Sequence, residues 1–217
     1  MISEVYNCDC MEYMATIPDK FFDLVIADPP YRDMKDNAPQ KEMREHGGMR
    51  KFGNKPNFKM FDEIKRISKS QIIFGANNFG IPFSGFIAWD KLVRGSDRYS
   101  QVELASISQN LGTTSIYCQI SCYDKNAKIH PSQKPIDLYA WILKTFLPKI
   151  GGSKIFDPMM GSQSSRIAAY KLGYDYWGCE LDKDFFEKGC ERFEKEIHGI
   201  QKLSDGTAIK QLSIFGD

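Results

Sequence analysis

The segment Phe22-Asp-Leu-Val-Ile-Ala-Asp-Pro-Pro-Tyr31 is the most informative about the fold, because its apolar run is followed by an acid, two prolines and an aromatic residue. Leu24 to Ala27 have the pattern of a buried strand. In an open α/β sheet, ligands bind at the carboxyl ends of the strands, where Asp28-Pro29-Pro30-Tyr31 would then lie. Because proline lacks an N–H and fixes φ, this turn is rigid and its carbonyl groups remain available as acceptors. Such acceptors beside a ring suit a planar base with an exocyclic amine, but an ordinary strand-ending turn would have the same sequence.

Apolar runs and breakers elsewhere predict alternating strands and helices. Strands are predicted at 2–6, 22–27, 71–74, 85–89, 103–107, 116–120, 153–157 and 175–179. Helices are predicted at 9–16, 58–68, 135–147, 162–172 and 182–197. This alternation predicts an α/β fold, doubly wound around a mostly parallel sheet with helices on both faces. We therefore predict one domain over residues 1–198, followed by an irregular tail at 199–217.

Composition and charge narrow the class of protein. The 217 residues carry a net charge of +1, so a basic surface that binds nucleic acid must be local. No apolar run approaches the ~18 residues of a membrane span, and the first residues lack the pattern of a signal peptide, so we expect a cytoplasmic protein. The six cysteines do not follow a zinc-ribbon spacing, and only three histidines accompany them. We expect reduced thiols and no metal site.

A second candidate site is the segment Lys154-Ile-Phe-Asp-Pro-Met-Met-Gly-Ser162, where a predicted strand meets a helix through a turn of small residues. Such a turn lets a ligand approach the backbone at a helix N-terminus. The next predicted strand ends at Glu180, whose carboxylate can hold a ribose diol with two hydrogen bonds. The turn lacks the full G-x-G-x-x-G pattern, which disfavours a pyridine dinucleotide. An adenosine-bearing cofactor without phosphates fits better, and a plain strand–turn–helix is the alternative.

A third segment, His130-Pro-Ser-Gln-Lys-Pro135, lies directly before a predicted helix. Lys134 could pair with a carboxylate of the cofactor, since an ammonium is a compact charge with three donors. Taken alone, the segment is an unremarkable helix start with proline at the first turn.

Together, Asp28–Tyr31, His130–Pro135 and Phe156–Ser162 resemble the S-adenosylmethionine-dependent amino methyltransferases of DNA. The order, with the catalytic motif before the cofactor motif, is that of their permuted beta class. Further segments that resemble this family, including its phage and prophage enzymes, are 8–12, 73–79 and 88–91. The resemblance implies a Rossmann-like methyltransferase sheet in circularly permuted order, and it covers roughly residues 4–195.

The resemblance also implies the roles of individual residues. The catalytic residues would be Asp28, Pro29, Pro30 and Tyr31, which accept hydrogen bonds from the target amine and stack on the base. Asp9 and Cys10 would lie near the adenine of the cofactor, and Ser132 and Lys134 near its methionine end. The remaining cofactor contacts would be Asp157, Pro158, Met159, Gly161, Ser162 and, on the ribose, Glu180. Gln163 stands where the family has glycine, so we expect its side chain to crowd the cofactor turn.

The acid at position 28 bears on the choice of base. In the family, Asp-Pro-Pro-Tyr usually accompanies adenine N6, and serine in the first position usually accompanies cytosine N4. The resemblance therefore favours adenine N6 in a base flipped out of double-stranded DNA, in an enzyme of DNA methylation or restriction–modification. Two alternatives stay open: a methyltransferase acting on RNA or on a protein amide, and a nucleic-acid-binding subunit that has lost catalysis.

Residues 32–59 carry eight basic and four acidic side chains, a local excess of +4 directly after the catalytic turn. We expect this segment to close over DNA and to contact phosphates, although a solvated loop is the alternative. The expected DNA contacts are Lys41, Arg44, Arg50 and Lys51, with Arg94 and Arg98 as secondary candidates.

The end of the chain, Gln211-Leu-Ser-Ile-Phe215, resembles the short peptide by which bacterial replication and repair proteins bind the sliding clamp. Leu212, Ile214 and Phe215 could fill an apolar groove while Gln211 forms hydrogen bonds at its edge. The residues before it would act as a flexible tether. A five-residue match is weak, and packing of these side chains on the domain itself is the alternative.

Overall fold

The computed structural model describes residues 1–31, 56–82, 84–94, 100–120, 128–130, 132–202, 205 and 207–210. Within these residues, the strands are β1 Ser3–Tyr6, β2 Phe22–Ala27, β3 Ser68–Phe74, β4 Gly85–Asp90, β5 Val102–Ile107, β6 Thr114–Cys118, β7 Lys154–Asp157, β8 Asp175–Cys179, β9 Ile200–Lys202 and β10 Ala208–Lys210. The first eight form one sheet in the order β1-β8-β7-β2-β3-β5-β4-β6, and the last two form a separate hairpin.

The directions of the strands bring distant parts of the chain to one edge of the sheet. Neighbouring strands are parallel from β1 through β8, β7 and β2 to β3, and β4 is parallel to β6. Only β5 is antiparallel to its neighbours β3 and β4. The carboxyl ends of the parallel strands therefore share one edge with the amino end of β5. Strands β2 and β7, which carry the two main motifs, are direct neighbours.

The helices are α1 Cys10–Ala15, α2 Phe58–Ile67, α3 Ile136–Ile150, α4 Ser164–Lys171 and α5 Lys183–His198. Side-chain caps begin three of them: Asp9 accepts a hydrogen bond from the Met11 amide, Asn57 accepts one from the Lys59 amide, and Asp182 accepts one from the Phe185 amide. Gly199 ends α5 in the left-handed conformation. None of the described helices combines the length and the apolar character needed to cross a membrane.

The core has two layers because strand side chains alternate between the faces of the sheet. On one face, Leu24 and Ile26 of β2 pack with buried residues of α3 and α4. On the other face, Val25 and Ala27 pack with α1 and α2. The continuous burial of residues 24–27 follows from this double cover. The prediction of a mostly parallel α/β sheet with helices on both faces is confirmed.

Two boundaries differ from the predictions. Helix α3 continues to Ile150, beyond the predicted end at 147, because Pro148 in the last turn removes only one backbone donor. The tail predicted to be irregular from 199 begins with the antiparallel hairpin of β9 and β10. Gly199 separates this hairpin from α5. The sequence of the hairpin lacks the alternation of apolar and polar residues that predicts a strand.

Candidate active site

The sequence-predicted site residues converge on the edge of the sheet that holds the carboxyl ends of its parallel strands. Asp28–Tyr31 follow β2, Pro158–Ser162 follow β7, Glu180 follows β8 and Asp9 follows β1. The Asn7 side-chain amide links two of these ends, since it donates to the carbonyl oxygens of Glu180 and Leu181 at 2.8 and 3.1 Å. Strand direction is thus the cause of the convergence, as expected for a ligand site in an open α/β sheet.

The catalytic turn holds its acid and its aromatic residue against each other. The Tyr31 hydroxyl lies 2.8 Å from Asp28 Oδ1, and Asp28 Oδ2 accepts a hydrogen bond from the ammonium of Lys134. Pro29 is buried, whereas Asp28, Pro30 and Tyr31 are half-buried. The turn is therefore fixed in place, and the acid faces an edge of the sheet that remains partly open.

Glu103 completes this cluster, and the motif analysis missed it. Its Oε1 lies 2.6 Å from the Tyr31 hydroxyl and 2.8 Å from Lys134 Nζ, and its Oε2 lies 2.8 Å from Lys91 Nζ. Glu103 reaches the site because β5 runs antiparallel to β3 and β4, so that its second residue lies at the edge of the sheet that holds the carboxyl ends of the parallel strands. The sequence gives one weak signal, an acid in a mostly apolar strand.

The two acids of the cluster have opposite pKa shifts. Burial raises the pKa of Asp28, with Lys134 opposing the rise and Glu103 adding to it. Burial acts in the same direction on Glu103, but Lys134 and Lys91 outweigh it and lower the pKa of that carboxyl to about 2. Burial, together with Asp28 and Glu103, raises the pKa of Tyr31, so its hydroxyl stays neutral and acts as a donor. Protons in the cluster thus collect on Asp28 before Glu103.

The predicted cofactor turn is built around two carboxylates. Asp157 is buried and accepts hydrogen bonds from the Met159 amide at 3.0 Å and from the Ser165 hydroxyl at 2.6 Å. Glu180 accepts the Gly161 amide at 2.9 Å through one oxygen and the Asp182 amide at 2.9 Å through the other. Pro158 and Ser162 are buried in the same turn. The turn therefore holds its shape through its own carboxylates.

Residues before α3 close one side of this turn. The His130 ring packs against Gly161, where an added Cβ would lie 3.3 Å from three ring atoms. The backbone amide and hydroxyl of Ser132, an exposed residue, lie 3.3 and 3.0 Å from His130 Nδ1. The Ser164 hydroxyl donates to the Lys134 carbonyl oxygen at 2.7 Å. The main chain of Lys134 is thus bound to the start of α4, directly after the cofactor turn, and its side chain is bound to the catalytic turn.

Gln163 does not crowd the turn, which corrects the expectation drawn from its position in the motif. Its backbone is left-handed, with φ of 60°, and its side chain is fully buried between α4 and α5. The side-chain oxygen accepts from Arg166 at 2.9 Å, and the side chain fills the space left by Gly189. The side-chain amide therefore points away from the turn. A residue other than glycine at this position strains the backbone, but it does not take up space in the cofactor turn.

At the end of β1, Asp9 begins α1 and accepts the Met11 amide at 2.7 Å. The Cys10 thiol is buried in the core, and this burial raises its pKa to about 12. The five cysteines in the described ranges are free thiols, and no group of metal-ligand side chains occurs within those ranges. Any contact of Cys10 with a ligand at this edge would be made by its backbone.

The predicted DNA contacts fall mostly outside the described residues. Lys41, Arg44, Arg50, Lys51 and Arg98 lie there, as do Gln211, Leu212, Ile214 and Phe215 of the tail motif. Arg94 is described: it is exposed and binds both oxygens of Asp90 at 2.8 and 2.6 Å. It follows β4, at the same edge of the sheet as the catalytic turn.

We predict that Asp157 makes stability depend on pH. Burial raises its pKa to about 7, so the folded protein binds a proton that the unfolded chain releases at a lower pH. Its contribution to the free energy of unfolding therefore increases as pH falls from about 7 to about 4, by up to ~1.4 kcal/mol for each unit of pKa difference. Asp157→Asn should remove this contribution.

The measurement is urea unfolding of wild type and Asp157→Asn at about pH 5 and about pH 8. The change in the free energy of unfolding between the two pH values is compared between wild type and Asp157→Asn. This comparison is needed because burial lowers the pKa of His130 to about 4, which disfavours folding over the same pH range in both proteins. If the free energy of unfolding changes equally with pH in both proteins, Asp157 ionises in the ordinary range of an aspartic acid.

Comparisons with known proteins match part of the chain to a protein family. Residues 89–191 match the model of the N6/N4 methyltransferase family, which is described as DNA methylase. A curated relative, the type II methyltransferase M.HpaI of Haemophilus parainfluenzae, is 28% identical over 82 residues, which are 38% of this chain and 26% of that protein. The match thus spans about a quarter of the relative's length.

Solved structures with a similar fold extend over nearly the whole chain. TTHA0409 of Thermus thermophilus, a candidate DNA modification methylase in complex with S-adenosyl-L-methionine, has a TM-score of 0.56 at 17% identity and covers 91% of this chain and 97% of its own. The M1.HpyAVI–SAM complex has a TM-score of 0.53 at 19% identity, with coverages of 88% and 100%. The cytosine-N4-specific PvuII DNA methyltransferase has a TM-score of 0.57 at 12% identity, with coverages of 90% and 92%. The chain therefore has the fold of DNA methyltransferase structures, and its residues 89–191 match the DNA methylase family model.

Proposed function

We propose that this protein is an S-adenosylmethionine-dependent DNA methyltransferase that acts on the N6 amine of an adenine flipped out of the duplex. The observation that carries the proposal is the pairing of two turns on neighbouring strands. The acid of the catalytic turn follows β2, and the Asp157–Ser162 turn with its Glu180 partner follows β7 and β8. An amine and a methyl donor held at these two turns would lie side by side.

The residues at the second turn fit S-adenosylmethionine. Each Glu180 oxygen accepts one backbone amide, which leaves lone pairs for the hydroxyl groups of a ribose. Two cations beside the turn are already engaged, Lys134 by Asp28 and Glu103 and Arg192 by the Ser162 carbonyl oxygen. This arrangement suits an adenosine without phosphates better than a dinucleotide. When bound, S-adenosylmethionine supplies an electrophilic methyl group on a sulfonium.

The catalytic turn can activate an amine whose lone pair is delocalised into a ring. The Asp28 carboxylate and the Pro29 carbonyl oxygen would each accept one of its two hydrogens. These two hydrogen bonds pull the nitrogen towards tetrahedral geometry and localise the lone pair, so that the amine becomes a nucleophile. Because both acceptors belong to a rigid turn, alignment contributes much of the rate. Asp28 acts as an acceptor and orients the amine.

Tyr31 would support the base itself. Its hydroxyl is fixed between Asp28 and Glu103, and the ring lies against Gly75. A ring fixed at both ends can offer a flat surface to a base that has left the stack. Base–aromatic stacking contributes about 1–3 kcal/mol.

The choice of adenine rests on Asp28, since a cytosine-N4-specific enzyme has the same fold. An assay of tritiated methyl transfer tests the proposal against its alternatives. Wild type is offered duplex DNA, RNA and protein, and the labelled DNA is digested to nucleosides. Label in N6-methyl-2′-deoxyadenosine from DNA supports the proposal, and label in N4-methyl-2′-deoxycytidine would reassign the base. Transfer only to RNA or protein, or binding without transfer, would favour the alternatives.

We predict that Glu180→Ala weakens S-adenosylmethionine binding by about 1.5–3 kcal/mol, the range for hydrogen bonds to a charged group. Since Glu180 also accepts the Gly161 and Asp182 amides, Glu180→Gln should lose less affinity while keeping most of the turn. Calorimetry of both variants, alongside their melting temperatures, separates the ribose contact from a loosened turn. Wild-type affinity in Glu180→Ala would place the ribose elsewhere.

We further propose that residues 32–59 contact DNA through their +4 charge excess. Neutralising Lys41, Arg44, Arg50 and Lys51 together should weaken binding and flatten the plot of log K against log salt by about 0.9 for each phosphate that is no longer neutralised. The control neutralises four exposed helical lysines, Lys65, Lys144, Lys171 and Lys183, which changes net charge equally. Equal slopes in the two variants would show that only net charge matters.

The tail motif stays a sequence-based prediction of a second contact. Residues 211–217 follow β10 in the chain and lie outside the described residues. Binding of this motif to a sliding clamp would raise the local concentration of DNA at the enzyme.

A further inference from the structure

Lys134 is the most deeply buried charge at the catalytic turn. Its side chain is 5% exposed, and its ammonium lies against two carboxylates, Asp28 and Glu103, whose side chains are 13% and 14% exposed. A buried ammonium is costly unless it is paired and hydrogen-bonded. The ring of Phe74, with its centroid 4.6 Å from Nζ, provides a further favourable contact. The burial of Lys134 thus depends on both acids being in place.

The number of available donors explains why two acids need this lysine. The Tyr31 hydroxyl lies within hydrogen-bond distance of both carboxylates, at 2.8 and 2.6 Å, but it has a single proton to donate. It can satisfy only one acid at a time, and the two carboxylates would otherwise repel each other. The three ammonium protons of Lys134 supply the missing donors, because Nζ contacts Asp28 and Glu103 together.

Glu103 also has an outer partner, which fixes it in turn. Lys91 Nζ lies 2.8 Å from the second Glu103 oxygen, with the Lys91 side chain 20% exposed. The arrangement is therefore a chain of alternating charges, Lys91–Glu103–Lys134–Asp28, that runs from the partly exposed side of the sheet edge to the catalytic acid. Its charges sum to zero, so no uncompensated charge is buried.

We propose that Glu103 and Lys134 are positioning residues of the methyl-transfer reaction: Lys134 holds the Asp28 carboxylate towards the target amine, and Glu103 holds Lys134 and Tyr31 against it. The inference rests on the proposed function, since it assigns these residues to the same site. It differs from the role that the sequence pattern assigns to Lys134, a contact with the methionine end of the cofactor. The Ser164–Lys134 hydrogen bond also joins the start of α4, which follows the cofactor turn, to the main chain of Lys134.

The proposal predicts that Lys134→Met and Glu103→Gln shift the ionisation of Asp28 in opposite directions, which a merely structural role would not do. Asp28 is faced by Tyr31 from its own turn, by Glu103 from β5 and by Lys134 from the segment before α3. Lys91, which follows β4, interacts with Glu103, and Asp157 of β7 and Tyr139 of α3 interact electrostatically with Asp28. Lys134→Met removes a cation, so the pH at which Asp28 ionises should rise. Glu103→Gln removes an anion, so that pH should fall.

The experiment measures kcat, KM and their pH profiles for wild type, Glu103→Gln, Lys134→Met and a matched control. We expect kcat to fall about a hundredfold in both site variants, the cost of an error of ~1 Å in position. S-adenosylmethionine affinity should stay near wild type, and the acidic limb of the profile should move in opposite directions. The control is Asp23→Asn, an acid of equal exposure, 14%, paired with Lys69 at the opposite end of β2. It should keep wild-type kinetics.

A second readout makes the test independent of catalysis. The Asp28 carboxyl carbon is titrated by NMR in each protein, with its signal assigned from Asp28→Asn. Opposite displacements in Glu103→Gln and Lys134→Met support the inference even if wild type transfers no methyl group to DNA, an outcome that would refute only the proposed function. Equal Asp28 titrations in all three proteins overturn it, as does unchanged kcat in both variants. If Lys134→Met does not fold, the nearly isosteric Glu103→Gln decides alone.

Discussion

Asp28→Ala should abolish most methyl transfer while leaving S-adenosylmethionine affinity close to that of wild type. The Asp28 carboxylate lies at the end of β2 and has no contact with the Asp157–Ser162 turn among its hydrogen bonds, which go to Tyr31 and Lys134. Removing one preorganised hydrogen-bond partner of a reacting group costs about 10²–10³-fold in rate. We expect at least that loss here, because Lys134 also loses one of its two acids.

Single-turnover transfer and calorimetry measure the two parts of this prediction separately. Asp23→Ala is the control, because Asp23 lies at the other end of the same strand and also pairs with a lysine, Lys69. Melting temperatures show whether the loss of a buried partner for Lys134 has unfolded the domain. Substantial activity of Asp28→Ala on adenine-containing duplex would remove Asp28 from the mechanism.

The sheet could be predicted from the sequence because its signals are local. Residues 22–27 are apolar throughout except for Asp23 and are followed by Asp28-Pro29-Pro30, and their observed bounds are the predicted ones. Gly151 and Gly199 end helices in the left-handed conformation that glycine favours. The hairpin of β9 and β10 was not predicted, since its strands have three residues each and β10 is exposed throughout.

The candidate site could be predicted only where a motif marks it. Asp28 and Glu180 were found because each ends a recognisable strand. Glu103 was missed because its place in the site depends on the antiparallel pairing of β5, which no local pattern reveals. Strand order and direction are long-range properties, and they also decide that Lys134 meets Asp28, 106 residues away.

Gly75→Ala should disrupt the catalytic turn from outside it. Gly75 follows β3 with φ of 63°, and a Cβ at this position would overlap the Tyr31 ring. Its amide donates to the Leu104 carbonyl oxygen at 2.7 Å, so the backbone cannot withdraw without losing that bond. The Tyr31 ring must therefore move, and with it the hydroxyl that Asp28 and Glu103 share. We expect methyl transfer to fall about a hundredfold or more, the cost of displacing a site by ~1 Å.

A second glycine separates this clash from backbone strain. Gly80 has nearly the same conformation, with φ of 65°, and an added Cβ would have nothing within 4 Å. Both alanine variants should lose about 1–2 kcal/mol of stability, the cost of a left-handed residue that carries a Cβ. Only Gly75→Ala should also lose activity, and Tyr31→Ala in the Gly75→Ala background should cause little further loss, since the ring is already displaced. If Gly75→Ala transfers methyl groups at the wild-type rate, or if Gly75→Ala and Gly80→Ala lose equal activity, the position of Tyr31 does not limit the reaction.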